Sequence, residues 1–198
     1  MAKIKINNIT IGDKYPPTII VELGINHSGN LDKAIHLVDI AKKNGANIIK
    51  HQTHIPNEEM SSSAKRIIPG NAKESIFEVI KKNCLSLDKE KKLAEYIRKK
   101  NMTFISTPFS FAAVDRLKEL KVPAIKIGSG ECNNYPLIKK IANLKLPVIL
   151  STGMNNYESI ARAVKILRNK KIKFALLQCT NVYPTPFEFI NINCVSTL

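Results

Sequence analysis

Two lysines stand inside or directly after apolar runs that read as strands. Lys50 follows Asn47-Ile48-Ile49, and Lys126 lies within Ala124-Ile125-Lys126-Ile127. Lysine is rarely buried without a partner. Hydroxyls end neighbouring runs at Thr107, Ser129 and Ser151. Two ammonium groups among such hydroxyls suit a compact polyanion, and a phosphate or phosphorylated carboxylate would satisfy both charges and donors. The plainer reading has each lysine snorkel to a rim or pair with a carboxylate. A lone lysine favours that reading, but two with a ring of hydroxyls favour the anion site.

Glu22 and Glu131 are carboxylates ending strands in the same expected mouth. Near a polyanion and away from water, such a group can act as general base or orient a water. The alternative is an ion pair with one of the lysines. Gln52, two residues after Lys50, points to the same side if the strand runs that far. Asn181 and Tyr183 end the last run and could hydrogen-bond a polyol, although Tyr183-Pro184-Thr185-Pro186 could equally be a rigid turn. His51-Gln52-Thr53-His54 superficially resembles a metal pair, but it lacks a third ligand. Gly128-Ser129-Gly130 lacks the third glycine and immediate helix of a dinucleotide fingerprint.

The elements that must position these residues follow from periodicity. β-Branched runs at 18–22, 47–50, 102–107, 124–127, 147–150 and 174–177 read as strands, the first of them buried. Helical patterns lie between them: one capped by Asn30 and stopped at Asn44-Gly45, others near 87–100, 111–120, 135–144 and 156–169. Ser86, Ser110 and Asn156 stand at N-cap positions. Residues 54–85 interrupt the repeat as a long loop plus a short helix, with Pro69-Gly70-Asn71 inside it. Lys3–Asp13 reads as a β-hairpin.

Strands alternating with helices imply right-handed βαβ units and a parallel sheet. Polar chemistry at the end of every strand is the habit of a (β/α)₈ barrel, since an open sheet gathers its ligands at one switch point. The fold class expected is therefore α/β, a partial TIM barrel of about six of eight βα units. A hairpin over 1–15 precedes an incomplete barrel over 16–198.

The chain has 198 residues, 44% hydrophobic and 24% charged, which excludes intrinsic disorder. No apolar run approaches the ~20 residues of a membrane span, and the first residues carry no export signal. The expected compartment is the cytoplasm. A net charge of +15 raises nucleic-acid binding, but its lysines are spread over helix faces without an arginine cluster or aromatic platform. Neither nucleic acid nor membrane is expected as a partner. Cys84, Cys132, Cys179 and Cys194 show no zinc spacing and are expected as reduced thiols.

Six ordered segments carry a resemblance. They are Val21-Glu22-Leu23-Gly24-Ile25-Asn26-His27-Ser28-Gly29, Lys50-His51-Gln52-Thr53-His54, Ser106-Thr107-Pro108-Phe109, Lys126-Ile127-Gly128-Ser129-Gly130-Glu131, Leu150-Ser151-Thr152-Gly153-Met154 and Cys179-Thr180-Asn181-Val182-Tyr183-Pro184-Thr185-Pro186. Over roughly residues 15–190 the chain resembles the bacterial sialic acid synthases of the NeuB type. The resemblance implies a TIM barrel that condenses phosphoenolpyruvate with N-acetylmannosamine and releases phosphate. A divalent metal, Mn²⁺ or Mg²⁺, polarises the sugar aldehyde in that family.

By motif position, the resemblance assigns phosphoenolpyruvate to Lys50, Thr107, Lys126, Ser129, Ser151 and Asn181. Glu131 would handle the attacking water or a sugar hydroxyl, Gln52 and Tyr183 would contact the sugar, and Glu22 would sit near the aldehyde or its water. The family's two metal-binding histidines and its C-terminal antifreeze-like domain have no counterpart here, so no metal ligand is expected in this chain. The family homodimer is correspondingly not expected for this stretch. The chain reads as a truncated synthase, inactive and poorly soluble alone. Legionaminate or pseudaminate synthesis, or a nonenzymatic remnant that binds only phosphoenolpyruvate, are the alternatives.

Overall fold

The computed structural model describes residues 3–70 and 73–198; Asn71 of the expected loop lies outside them. The chain divides into two compact units, Pro16–Pro123 and Met1–Tyr15 with Ala124–Leu198.

In the unit Pro16–Pro123, strands β3 (Ile20–Gly24), β4 (Ile48–Thr53) and β5 (Thr103–Pro108) pair in parallel, with β4 central. Three longer helices accompany them: α1 (Leu31–Lys43), α4 (Leu87–Lys99) and α5 (Phe111–Glu119). Each begins where a side chain accepts a bond from an otherwise orphan backbone N–H. Asn30 takes the Lys33 N–H, Ser86 that of Lys89 and Ser110 that of Ala113, as their positions predicted. In α1 the buried residues Ala34, Val38 and Ala41 recur at helical spacing, and Gly45 follows the helix at φ +84°.

Two expectations need correction here. The first strand lies two residues later than expected, and of its five residues only Leu23 is buried, because β3 has a paired neighbour on one side within this unit. The 54–85 insertion holds more than one short helix: α2 (Pro56–Glu59), a 3₁₀ turn at Ala64–Arg66 and α3 (Ile76–Asn83). Ser75 caps α3 by accepting from the Glu78 N–H.

In the other unit, β1 (Lys3–Ile6) and β2 (Ile9–Gly12) form the expected antiparallel hairpin. Strands β6 (Ile125–Ile127), β7 (Val148–Ser151) and β8 (Phe174–Leu177) pair in parallel with β7 central. Helix α6 (Tyr135–Asn143) buries Leu137, Ile138, Ile141 and Ala142, while α7 (Tyr157–Asn169) buries Ile160, Ala163 and Leu167. Asn134 and Asn156 cap them. The residues after β8 form no regular helix, only 3₁₀ turns at Phe187–Phe189 and Ile192–Ser196.

The fold class is α/β, with the succession of six parallel-type strands and intervening helices of an incomplete (β/α)₈ barrel behind an N-terminal hairpin. Among the described residues no helix is long and apolar enough to cross a membrane.

Candidate functional site

Strand β4 sends its residues alternately to two faces, so its central position and period of two fix what each side chain meets. Lys50 is 5% exposed, and its Nζ lies 2.6 Å from Glu22 Oε2 on β3 and 3.4 Å from Thr107 Oγ1 on β5. Glu22, directly opposite in the strand register, keeps 59% of its side chain in solvent. The ion pair weighed from sequence is therefore present, with one buried and one wet partner. Gln52 shares this face and sits opposite Thr107 in register.

The other face of β4 carries a polar cluster that sequence reading did not assemble. Buried Glu90 of α4 accepts from His51 Nδ1 at 3.1 Å, from Thr53 Oγ1, and from Arg116 of α5 at 3.2 Å. Thr53 Oγ1 also lies 2.7 Å from Ser106 Oγ. His51 Nε2 meets His27 Nε2 at 3.2 Å, and the Gly29 N–H donates to His27 Nδ1. One proton pattern satisfies all of these bonds. Nδ1 of His27 is an acceptor, so its Nε2–H donates to His51 Nε2, and His51 Nδ1–H donates to Glu90.

Burial, helped by His51 beside it, pulls His27 down to about 4. For Glu90, burial pushes upward, but the hydrogen bonds from His51 and Thr53 and the charge of Arg116 outweigh it and hold the carboxyl below its ordinary value. The signal for Glu90 was available. It falls on the apolar stripe of α4 with Leu93, Ala94 and Ile97, where a carboxylate demands partners.

In the unit containing Ala124–Leu198, Lys126 is 7% exposed, and its Nζ donates to the Ile127 carbonyl at 3.0 Å. Ser129 and Ser151 are buried, and Ser151 Oγ accepts from Cys179 Sγ at 3.3 Å. Glu131 ends the 3₁₀ turn Ser129–Glu131 and accepts from Asn134 Nδ2 at 2.7 Å. Gly153 draws three strand ends together. A Cβ there would stand 1.9 Å from Asn181 Oδ1, 2.8 Å from the Cys179 carbonyl and 3.0 Å from Ser129 Oγ. A cavity of about 370 Å³ borders this cluster, walled by Thr152, Asn155, Tyr157, Gln178 and Cys179.

Asn181 and Tyr183 correct an expectation. β8 stops at Leu177, so both belong to the loop beyond it, and Tyr183 is 86% exposed. Pro184 and Pro186 lack the N–H that a continuing strand would need. The four cysteines are free thiols, and burial pushes Cys132 and Cys84 upward.

The His27–His51 contact has the residue types of a metal site but not the proton pattern. With Gly29 donating to Nδ1, the facing Nε2 of His27 carries hydrogen and has no lone pair for a cation. Among the described residues no group of three or more His, Cys, Asp or Glu side chains gathers as a metal site. These residues do not fit a divalent cation.

The sequence matches the NeuB family over residues 37–198. The chain belongs to the NeuB family. This NeuB-family chain is 41% identical, over its whole length, to an uncharacterised protein of Methanocaldococcus jannaschii, covering 56% of that protein. It is 39% identical to the N,N'-diacetyllegionaminic acid synthase of Campylobacter jejuni, over 91% of the chain and 56% of the relative. In structure it matches the N-acetylneuraminic acid synthetase of Leptospira borgpetersenii, solved with citrate. The TM-score is 0.89 at 32% identity, over 98% of this chain and 65% of that one. The chain thus spans about half the length of the curated relatives it matches.

Proposed function

We propose that this NeuB-family chain carries the phosphoenolpyruvate-binding part of a synthase joining that enol ester to N-acetylmannosamine with release of phosphate. The observation that carries this reading is a lysine more than nine-tenths buried within a strand of each unit, Lys50 with its Nζ 3.4 Å from the Thr107 hydroxyl and Lys126 in the unit that also buries Ser129 and Ser151. Lys50, Thr107, Lys126, Ser129, Ser151 and Asn181 bind the phosphate and carboxylate. Glu22 holds the Lys50 ammonium until the substrate anion arrives. Being largely solvated, it is released to water at little cost, so binding exchanges one anion for another.

In the reaction, C3 of the enol forms the new bond to the aldehyde carbon, whose oxygen takes up a proton. Water adds to C2, and the tetrahedral carbon then expels phosphate by C–O cleavage, leaving a 2-keto acid. Glu131, oriented by Asn134, accepts the proton of that water, and the freed Glu22 carboxylate serves the aldehyde end. Gln52 and Tyr183 contact the sugar. The family's divalent metal has no ligand set among the described residues, and none of these roles depends on it.

Calorimetric titration of the chain with phosphoenolpyruvate tests this. Saturable binding is expected, weakened roughly 10-fold or more in Lys50→Met and in Lys126→Met, the range for losing a hydrogen bond to a charged group. No saturable binding by the unmodified chain overturns the proposal. The 39% identity to the Campylobacter jejuni synthase favours a second reading for the sugar. In the presence of phosphoenolpyruvate, a diacetamido hexose that binds where N-acetylmannosamine does not would assign the chain to legionaminate synthesis.

A further inference from the structure

Beside Gln52 lies a group of side chains that neither the anion site nor the Glu90 cluster uses. His54 follows β4 and is 6% exposed. Its Nδ1 lies 3.0 Å from both carboxylate oxygens of Glu59 on α2, whose side chain is only 4% exposed. Its ring stacks on Phe109, centroid to centroid 4.2 Å with 7° between the planes. Its Nε2 lies 3.4 Å from the Gln52 carboxamide. Thus the imidazole is clamped across its face and at one nitrogen, and its other nitrogen addresses a residue assigned to the sugar.

A carboxylate can only accept, so Glu59 fixes the proton on His54 Nδ1. The neutral ring then has only a lone pair at Nε2, and the end of the Gln52 carboxamide that it engages is the N–H end, leaving the carbonyl oxygen for a ligand. A carboxamide has an acceptor end and a donor end. Engaging one end with Nε2 determines which end is presented to a ligand. An unrestrained glutamine would offer either, and would lose side-chain entropy on being fixed.

We propose that His54, held by Glu59 and Phe109, is a positioning residue that sets the orientation of the Gln52 carboxamide and thereby the hydrogen-bond polarity offered to a polyhydroxylated, N-acylated sugar. This rests on the assignment of Gln52 to the sugar. His54 acts through Gln52 and is not itself a catalytic residue.

Two measurements test it. In the unliganded chain, the side-chain amide NMR signal of Gln52, identified by its loss in Gln52→Ala, is expected to shift in His54→Phe, which keeps the stack on Phe109. If that variant does not fold, Glu59→Gln, which keeps the packing, is expected to shift the same signal. An unchanged Gln52 signal in a folded variant overturns the proposal. With phosphoenolpyruvate saturating and N-acetylmannosamine as probe, the His54 substitution is expected to weaken sugar binding at least fivefold in the otherwise unmodified chain. In a Gln52→Ala background the same substitution should change it less than twofold, and phosphoenolpyruvate affinity should stay constant in both. An equal loss in both backgrounds marks a merely structural effect and overturns the proposal. Failure of the unmodified chain to bind the sugar would remove the Gln52 assignment, while the amide signal still decides whether His54 governs Gln52.

Discussion

The two faces of β4 handle buried polarity in opposite ways. On one, Lys50 pairs with a carboxylate that is more than half in water, over a single long contact to Thr107. On the other, His51 and Thr53 belong to a cluster in which the bonds of Glu90, His27 and Ser106 close on one another, with all five of these residues buried and Arg116 half-buried at its edge. The first arrangement can be undone by a competing anion; the second cannot be opened without stranding its members. A polar residue at a strand end becomes a binding group when its partner can leave, and a structural one when its partner cannot.

That contrast predicts effects of different size. Glu90→Ala leaves His51, Thr53 and Arg116 without their acceptor, and should lower stability by about 3–5 kcal/mol, the range for breaking a buried charge pair. Urea denaturation reads it, and a change below about 1 kcal/mol would erase the distinction between the faces. Acid attacks the same cluster. Unfolded histidine takes a proton near its ordinary 6.5, but folded His27 only near 4. The unfolded state therefore binds more protons between those values, and stability falls by up to about 3 kcal/mol as pH drops through that window. Glu90, held below its ordinary carboxyl value, adds a further loss at lower pH. Replacing His27 by asparagine should flatten the part above pH 4. Stability unchanged from pH 6.5 to 4 in the unmodified chain would contradict the proton pattern. The smallest effect belongs to the open face. Lys50→Met leaves only a solvated Glu22 and should change stability by less than about 1 kcal/mol, while affinity for phosphoenolpyruvate drops.

Much of this was legible in the residues. Period two against period 3.6 gave the elements, and Asn30, Ser86, Ser110 and Asn156 all cap the helices they were expected to cap. Lysine within an apolar run announced burial, and both Lys50 and Lys126 are buried. The Glu90 cluster was hidden for a physical reason: its partners stand 26 to 39 residues away, and no spacing rule connects α4 to β4. His51 and His54 looked alike in sequence, yet the first lies within β4 and the second just beyond its end, and they turn to different carboxylates, Glu90 and Glu59. The Asn181–Tyr183 stretch misled because it was taken to end the last strand, whereas β8 already stops at Leu177.

Gly153 extends the same lesson to the other unit. With Asn181 Oδ1 standing 1.9 Å from where a methyl would begin, the floor of that cluster is bare backbone.

Polar side chains on both sides of β4 also act as a key for threading. An all-apolar strand could slide by one position and still find greasy neighbours on either flank. Here a single-step slip would thrust an ammonium among the helices and part an imidazole from its buried carboxylate, so two penalties guard one alignment.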